Sequence, residues 1–354
     1  MDRLEVLQAC VESNDADALI LTFMPDIRWL TGFSGSNALV VYTKGRSYFV
    51  TDGRYATQSR DEVEAGEIHV APGSLMRHTA DQKMLEGSNR VIVQAEYLTL
   101  SRLEEYKNVL PDVSFVPVSG ILNASVAVKS KRERELIADS QRITDEVFDH
   151  LLGFVKPGMS EQDIAAEIVY QHLRRGASAM SFDPIVASGP NSALPHARPT
   201  QRVLQQGDMV VIDMGCFKNG YASDMTRTLA IGEPGEEART VYQVVLDAQS
   251  KALEAASPNL TSKELDSAAR SIIEDAGYGS FFSHSLGHGV GLQIHEWPSV
   301  SWKAEYPLQA GMIITIEPGI YIPDQFGVRI EDMIQLTETG CDNLTGSTKQ
   351  LVVI

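Results

Sequence analysis

The segment VVIDMGCFKNGYASDMTRT, residues 210–228, decides the fold prediction because it places acidic residues inside sequence that is otherwise typical of strands. Asp213 and Asp224 each interrupt a run of apolar residues. Between them lies an Asn-Gly pair, the strongest short-range signal for a β-hairpin. If Lys218-Asn219 forms the two-residue loop, the aspartates are direct cross-strand partners, whereas an Asn219-Gly220 loop makes them diagonal neighbours. Both registers place two carboxylates on one face of the sheet.

A second pair of acids shows the same pattern near the end of the sequence. Glu317 lies within GMIITIEPGIYI (311–322) and Glu331 within GVRIEDMIQLT (327–337). An odd-numbered loop around Asp324 would set these two glutamates opposite each other. Strands that are half exposed could instead point such acids to water. Two hairpins that each carry a pair of acids favour convergence, and four converging carboxylates require roughly two divalent cations for neutrality.

Two histidines complete this set of candidate ligands. The segment SLGHGVGLQIHEWP (285–298) places His288 between two glycines and His295 seven residues later. Glycine lets the backbone approach a site closely, and the segment lacks the spacing of a nucleotide-binding loop. A lone histidine is more often structural than a ligand. Beside four strand carboxylates, the pair favours a metal centre.

The surrounding sequence predicts two domains. In residues 1–124 short apolar runs alternate with helical stretches, which indicates an α/β domain. The predicted strands and helices there are 18–22, 38–43, 47–51, 91–94 and 114–118, and 54–65, 77–86 and 100–108, respectively. The periodicity lapses around Val118–Lys131, and residues 125–354 are expected to form an α+β domain. A long helix is expected from about Ser130 to Pro157, and capping boxes at Ser160 and Thr261 predict two further helix starts.

Composition narrows the class of protein. The 354 residues carry 30 Lys+Arg and 47 Asp+Glu, a formal charge of −17 that argues against nucleic acid or an anionic membrane surface as a partner. Three scattered cysteines fit a reducing compartment. The beginning, MDRLEVLQAC, is typical of an amphipathic helix rather than a signal peptide, and no run approaches the ~18–20 apolar residues of a membrane span. We therefore expect a cytoplasmic protein.

Taken in order, VVIDMG, SDMTRT, GHGVGLQIHEWP, TIEPG and VRIED resemble the metallopeptidase family of methionine aminopeptidase, aminopeptidase P, prolidase and creatinase. Its catalytic domain has the pita-bread fold, which the resemblance places over residues 125–354. The segments RWLTGFSGSNA and YFVTDGRYATQ resemble the creatinase-like N-terminal domain of the prolidase and aminopeptidase P branch. The resemblance thus covers essentially the whole chain and also implies a homodimer.

The resemblance implies a role for each candidate residue. It implies two divalent ions, for which we choose manganese over cobalt or zinc, with a water held between them as the nucleophile. The implied ligands are Asp213 on one ion, His288 and Glu317 on the other, and Asp224 and Glu331 as bridges. Glu317 would also shuttle the proton to the leaving nitrogen. His196 and His295 would bind the substrate and stabilise the tetrahedral intermediate, and Arg329 would orient Glu331 or contact the substrate.

The resemblance further implies hydrolysis of Xaa-Pro peptide bonds, with an Xaa-Pro dipeptidase (prolidase) as the first choice. The alternative is an aminopeptidase P-type enzyme that acts on longer peptides. Many similar microbial prolidases carry an arginine directly after the HExP motif, where this chain has Ser299, and Arg198 or Lys303 would have to replace it. A remote alternative is a non-catalytic pita-bread binding module. Such modules typically lose metal ligands, and all five are present here.

Overall fold

The computed structural model describes residues 3–354, and the chain divides into two compact units. The first unit ends at Val126, and the second comprises Ala127–Ile354. Of the predicted N-terminal amphipathic segment, residues 1 and 2 lie outside the described residues, and helix α1 begins at Arg3. None of the helices in the described part of the chain is both long and apolar enough to cross a membrane.

The first unit is built on a mixed sheet. Its strands within the described residues are β1 Ala18–Leu21, β2 Ala38–Thr43, β3 Arg46–Asp52, β4 Glu67–Ala71, β5 Arg90–Gln94 and β6 Ser114–Val118. They adopt the order β4-β3-β2-β1-β5-β6. The helices are α1 Arg3–Ser13, α2 Met24–Thr31, α3 Gln58–Glu62, α4 Leu75–Asp81 and α5 Leu100–Val109, and α6 Asn123–Ala127 follows at the boundary. Strands β1 and β2 are buried along their whole length, as their continuous apolar sequences predict.

The second unit contains the predicted mixture of helices and hairpins. Its helices are α7 Lys131–Phe154, α8 Glu161–Arg174, α9 Glu236–Ala255 and α10 Ser262–Asp275. Its strands among the described residues are β7 Ala179–Met180, β8 Ile185–Ser188, β9 Met209–Met214, β10 Cys216–Lys218, β11 Tyr221–Ala222, β12 Met225–Ala230, β13 Gly287–Gly289, β14 Glu296–Val300, β15 Ile313–Ile316, β16 Gly319–Ile322, β17 Phe326–Arg329, β18 Asp332–Leu336 and β19 Cys341–Asn343. The capping boxes predicted at Ser160 and Thr261 are confirmed, each with both reciprocal hydrogen bonds.

Two helix pairs cover the sheets of this unit. Apolar residues of α7 and α8 form one buried cluster with β8, β9 and β12. Apolar residues of α9 and α10 form a second cluster with strands between β13 and β18. The sheets run β12-β9-β8, β11-β10-β7 and β14-β13-β15-β18-β19, and β16 and β17 form a separate hairpin.

The strand runs that carry the acids are each interrupted near the acid. Asn219-Gly220 is the observed hairpin loop, with both residues at positive φ, so the diagonal register between the aspartates is the one adopted. Asp213 faces Thr226 across the ladder, and pairing lapses at Asp224 between β11 and β12. The second hairpin turns through Pro323–Gln325. This loop has three residues, so it is odd-numbered, as the sequence analysis required for Glu317 to face Glu331.

Candidate active site

A cavity of about 490 Å³ in the second unit brings the predicted site residues together. Residues that line it include Asp213, Asp224, His288, Glu317, Glu331, His196, His295 and Arg329. They come from segments more than a hundred residues apart in the chain, so the fold and not local sequence assembles them.

The strand register sets Glu317 and Glu331 opposite each other, and their backbone amides join this hairpin to other segments of the site. The Ile316↔Asp332 and Gly319↔Arg329 pairs lie on either side of Glu317 and Glu331, so the same register sets these glutamates opposite each other. The backbone amides of both glutamates donate hydrogen bonds to segments outside this hairpin. The Glu331 amide donates to the Thr226 carbonyl at 3.1 Å, and the Glu317 amide donates to the Leu286 carbonyl at 2.8 Å. Each bond ties the second hairpin to another ligand-bearing segment.

His288 has its Nε2 atom available to a cation. Its Nδ1 donates to the Gly289 carbonyl at 3.0 Å, which fixes the tautomer that leaves a lone pair on Nε2. Burial, and then the neighbouring His295, lowers the pKa of His288 to about 4, so the ring is neutral at pH 7. Its Nε2 lies 3.6 Å from Asp224 Oδ2 and 3.5 Å from Glu317 Oε1. Asp224, His288 and Glu331 each offer one possible ligand atom, and these three atoms lie within 4.8 Å of one another.

The carboxylates are crowded enough to resist ionisation together. Burial raises the pKa of Asp224, and the charges of Glu331 and Asp213 raise it further. Burial and the charges of Glu317 and Asp213 raise the pKa of Glu331 in the same way. The pKa of Glu317 rises to about 8, first through burial. Carboxylates in this arrangement carry more negative charge than one guanidinium can neutralise, so a bound cation would stabilise them.

Asp213 provides the clearest sign that a cation fits here. Its Oδ2 accepts a hydrogen bond from Arg329 Nη2 at 2.7 Å. Its Oδ1 is buried and has no hydrogen-bond partner among the described residues. A buried carboxylate oxygen without a partner costs free energy unless a cation satisfies it. Four carboxylates and one neutral imidazole form the donor set that manganese, cobalt and zinc accept, so the residues present fit divalent ions.

The guanidinium of Arg329 forms hydrogen bonds with residues around the site. Its Nε donates to Thr226 Oγ1 at 3.0 Å, and Thr226 in turn donates to Glu331 Oε2 at 2.7 Å. Its Nη1 donates to the Tyr321 hydroxyl at 2.8 Å and to the Pro195 carbonyl at 3.2 Å. The guanidinium therefore links two candidate ligands, and it also fixes the backbone directly before His196.

His196 and His295 present their imidazoles to the cavity. Both are exposed, and neither forms a hydrogen bond with any residue in the described range 3–354. The ring of His295 packs edge-on against that of His288, with centroids 4.4 Å apart. Partial desolvation of the ring at the cavity, and then the proximity of His196, lowers the pKa of His295 from its ordinary value. Two uncommitted imidazoles beside the carboxylate cluster are suited to contact a substrate.

The loop that carries His196 is organised by the buried side chain of Glu161. The carboxylate, with no exposed surface, accepts hydrogen bonds from the amide and hydroxyl of Ser188 at 2.7 and 2.8 Å. It accepts another pair from the amide and hydroxyl of Thr200 at 2.9 and 2.7 Å, and a further bond from Asn191. Glu161 thus ties both ends of the 188–200 loop to the first turn of α8 and fixes the position of His196.

A buried ion pair holds the segment that carries His295. Glu296 Oε2 lies 2.6 Å from Lys129 Nζ, and both side chains are almost completely inaccessible. Glu296 Oε1 accepts from the Gln293 amide at 3.0 Å, which closes the turn before His295. Gly291 approaches this carboxylate so closely that a Cβ there would lie 2.5 Å from it. Gly291 therefore serves close packing against the Glu296 carboxylate.

The sequence analysis missed His284, which also lines the cavity. Its Nε2 contacts the Tyr321 hydroxyl at 2.9 Å, and through that hydroxyl it joins the Arg329 network. Burial, and then the charge of Arg329, lowers the pKa of His284 to about 3. The available signal was its spacing of four residues before His288, in an otherwise small and polar segment. Arg270 of α10 fixes this position by donating to the His284 carbonyl at 2.9 Å.

Comparisons with known proteins agree with this geometry. The model of metallopeptidase family M24 matches residues 135–338, and that of the creatinase/prolidase N-terminal domain matches residues 3–125. An Xaa-Pro dipeptidase from Pyrococcus furiosus is 38% identical over 355 residues, with 99% of each chain covered. The predicted α+β pita-bread fold with a creatinase-like N-terminal domain is confirmed.

Solved structures extend the similarity to the whole chain. An Xaa-Pro dipeptidase from Bacillus anthracis superposes with a TM-score of 0.97 at 36% identity, over 100% of this chain and 99% of that one. An X-Pro aminopeptidase from Thermotoga maritima superposes with a TM-score of 0.89 at 33% identity, over 98% of this chain and 100% of that one. A metallopeptidase family implies divalent metal ions, which the cluster described above fits. The chain belongs to metallopeptidase family M24 and carries the creatinase/prolidase type of N-terminal domain.

Proposed function

We propose that this protein is a prolidase that hydrolyses Xaa-Pro dipeptides with two divalent metal ions, manganese being our choice for both. The observation that carries the proposal is a buried cluster of five ligand-type side chains, with an unsatisfied Asp213 oxygen, beside two uncommitted histidines. Similarity to Xaa-Pro dipeptidases over the full length supports the substrate class. The homodimer and the cytoplasmic location remain predictions from the resemblance and from composition.

In this proposal five side chains hold the metal ions, namely Asp213, Asp224, His288, Glu317 and Glu331. Bound divalent ions supply a nucleophile by lowering the pKa of water from 15.7 towards ~7. Arg329 orients Asp213 directly and Glu331 through Thr226. A contact between Arg329 and the substrate remains a prediction, because four of its hydrogen bonds are already made within the protein.

The remaining roles concern proton transfer and charge. Glu317 takes a proton from the attacking water and passes it to the leaving nitrogen of proline. His196 and His295 donate hydrogen bonds to the oxygen of the scissile carbonyl, where negative charge develops. Proline has no N–H and a locked φ, so an Xaa-Pro bond requires a site shaped for it. A cavity of about 490 Å³ is large enough for such a small peptide.

The decisive test compares Ala-Pro with Ala-Pro-Ala as substrates of the purified protein in manganese. A prolidase cleaves Ala-Pro and cleaves the tripeptide at least tenfold more slowly. Faster cleavage of Ala-Pro-Ala would favour the aminopeptidase P alternative, which Ser299 supports because it lines the cavity without providing a cation. No cleavage of either peptide, in manganese or cobalt, would contradict the proposed function.

Replacement of His196 by alanine should lower kcat roughly 100-fold and leave the bound metal unchanged. The imidazole is expected to stabilise developing charge and makes no contact with the candidate ligands by hydrogen bond. Steady-state hydrolysis of Ala-Pro and metal content by mass spectrometry measure the two effects. His150→Ala is a matched control, because His150 pairs with Glu167 on the helices α7 and α8. Loss of metal in His196→Ala would show that His196 is a ligand instead.

A further inference from the structure

We propose that Arg198 binds the C-terminal carboxylate of the dipeptide and so determines the length of peptide that is accepted. The inference rests on the proposed function and names a specificity residue for it. Arg198 lines the same cavity as the carboxylate cluster, two residues after His196 in the chain.

Charge creates the need for such a residue. The acids that line the cavity are Asp183, Asp213, Asp224, Glu317 and Glu331. A dipeptide brings a free carboxylate within one proline residue of the scissile bond, whereas a longer peptide has a neutral amide at that point. Bound metal ions would neutralise the four acids of the cluster, but a carboxylate that leaves water on entering the cavity still costs free energy unless a cation or hydrogen-bond donor meets it. Among the described residues, the arginine and lysine side chains that line the cavity are Arg198 and Arg329.

Arg329 is not available for this task. It is 3% exposed, and its guanidinium donates to Asp213, Thr226, Tyr321 and the Pro195 carbonyl. A turn of the side chain towards the substrate would leave Asp213 Oδ2 without a partner, next to an oxygen that already lacks one. Such a change would leave a buried charge uncompensated.

Arg198 is available. It is exposed at the cavity and forms no hydrogen bond or ion pair with any of residues 3–354. Asp183 also lines the cavity but forms no ion pair with Arg198. The planar guanidinium presents paired N–H donors that match both oxygens of a carboxylate. Lys303 does not line the cavity, and its ammonium lies over the Trp302 ring, 4.9 Å from the centroid.

The backbone on both sides of Arg198 is held in place. Ala197 is buried in a small cluster with Ile185 and Ala187. Pro199 restricts the preceding residue to extended conformations, and Thr200 is bound to Glu161. The position of Arg198 is therefore fixed relative to His196, while its long side chain remains free to close on a carboxylate. A fixed backbone and a mobile side chain suit a residue that binds the peptide's C-terminal carboxylate at a set distance from the scissile bond.

The test uses the holoenzyme in manganese with two substrates that differ only in the terminal charge, Ala-Pro and Ala-Pro amide. Arg198→Met should lower kcat/KM for Ala-Pro roughly 10–100-fold, mainly through KM, and change that for the amide less than threefold. Arg198→Lys should restore part of the loss, because it keeps the charge without the paired donors. Lys303→Met, the matched control, should leave both values unchanged.

The outcomes separate the two proposals. An equal loss on both substrates would show a structural role for Arg198, and no loss on Ala-Pro would show that another group binds the carboxylate. Either result overturns the assignment and leaves the prolidase proposal standing. A wild-type protein that cleaves neither substrate overturns the proposed function and, with it, this inference. Retained activity on the amide also demonstrates that the Arg198→Met variant is folded.

Discussion

The Asp224→Ala variant should lose hydrolysis of Ala-Pro by at least about 10³-fold and should lose metal loading at the same time. Asp224 lies at the centre of the cluster, with its carboxylate 3.6 Å from His288 and grouped with Glu331. Asp224 would be one of the side chains that hold the metal ions, so its removal takes away a ligand. Metal content by mass spectrometry and Ala-Pro turnover in manganese test the two losses together.

The control for this variant is Asp275→Ala. Asp275 is exposed at the end of α10, and it carries the same charge without any cavity contact. Its variant should keep both metal and activity, which separates a specific effect from a change in net charge. An Asp224→Ala protein that keeps full turnover would refute the assigned site. One that keeps both ions but loses turnover would show that Asp224 is not a ligand.

The Arg227→Met variant should destabilise the second unit by about 3–5 kcal/mol. Arg227 is 1% exposed and pairs with the fully buried Asp332 at 2.8 Å. It also donates to the carbonyls of Glu331, Ser347 and Thr348. Methionine fills a similar volume but leaves Asp332 short of a counter-charge and these carbonyls without a donor.

Denaturant-induced unfolding of the wild type and the variant measures this loss. Arg142→Met is the matched control, since Arg142 forms a pair with Glu146 that is largely exposed on α7. That pair should contribute less than about 1 kcal/mol. A shift for Arg227→Met no larger than that of the control would contradict the prediction. Because the Glu331 carbonyl is one of the acceptors, a reduced metal affinity in the folded variant would accompany the expected loss of stability.

Sequence reasoning succeeded where the signal was local. Asn219-Gly220 has the short polar residues that tolerate positive φ, so the hairpin and its two permitted registers could be written down. An acid inside an apolar strand is conspicuous in the same way, because desolvation makes it costly unless a partner is present. Asp213, Asp224, Glu317 and Glu331 were found by this argument, and the structure brings all four to one cavity.

Features that depend on distant partners could not be recognised. Glu161 lies in the helix start predicted at Ser160, yet its partners lie 27 to 39 residues away and make it the anchor of a loop. Arg227 pairs with a residue 105 positions later. For Glu161 and Arg227 the tertiary contact, not the residue type, defines the role. Helix α9 and the part-exposed strand β4 were also not predicted, although α9 has the apolar spacing of an amphipathic helix.

The double attachment of the 188–200 loop to Glu161 makes this loop a natural unit for grafting between related enzymes. Both ends are tied to one carboxylate, and residues between Asn191 and Thr200, including Arg198, make no bond to that anchor. Substitutions within this interval can therefore diversify substrate preference while the anchor keeps His196 in register with the carboxylate cluster. A fixed point of attachment with an interior open to substitution resembles antibody domains, in which a framework supports loops of changing specificity.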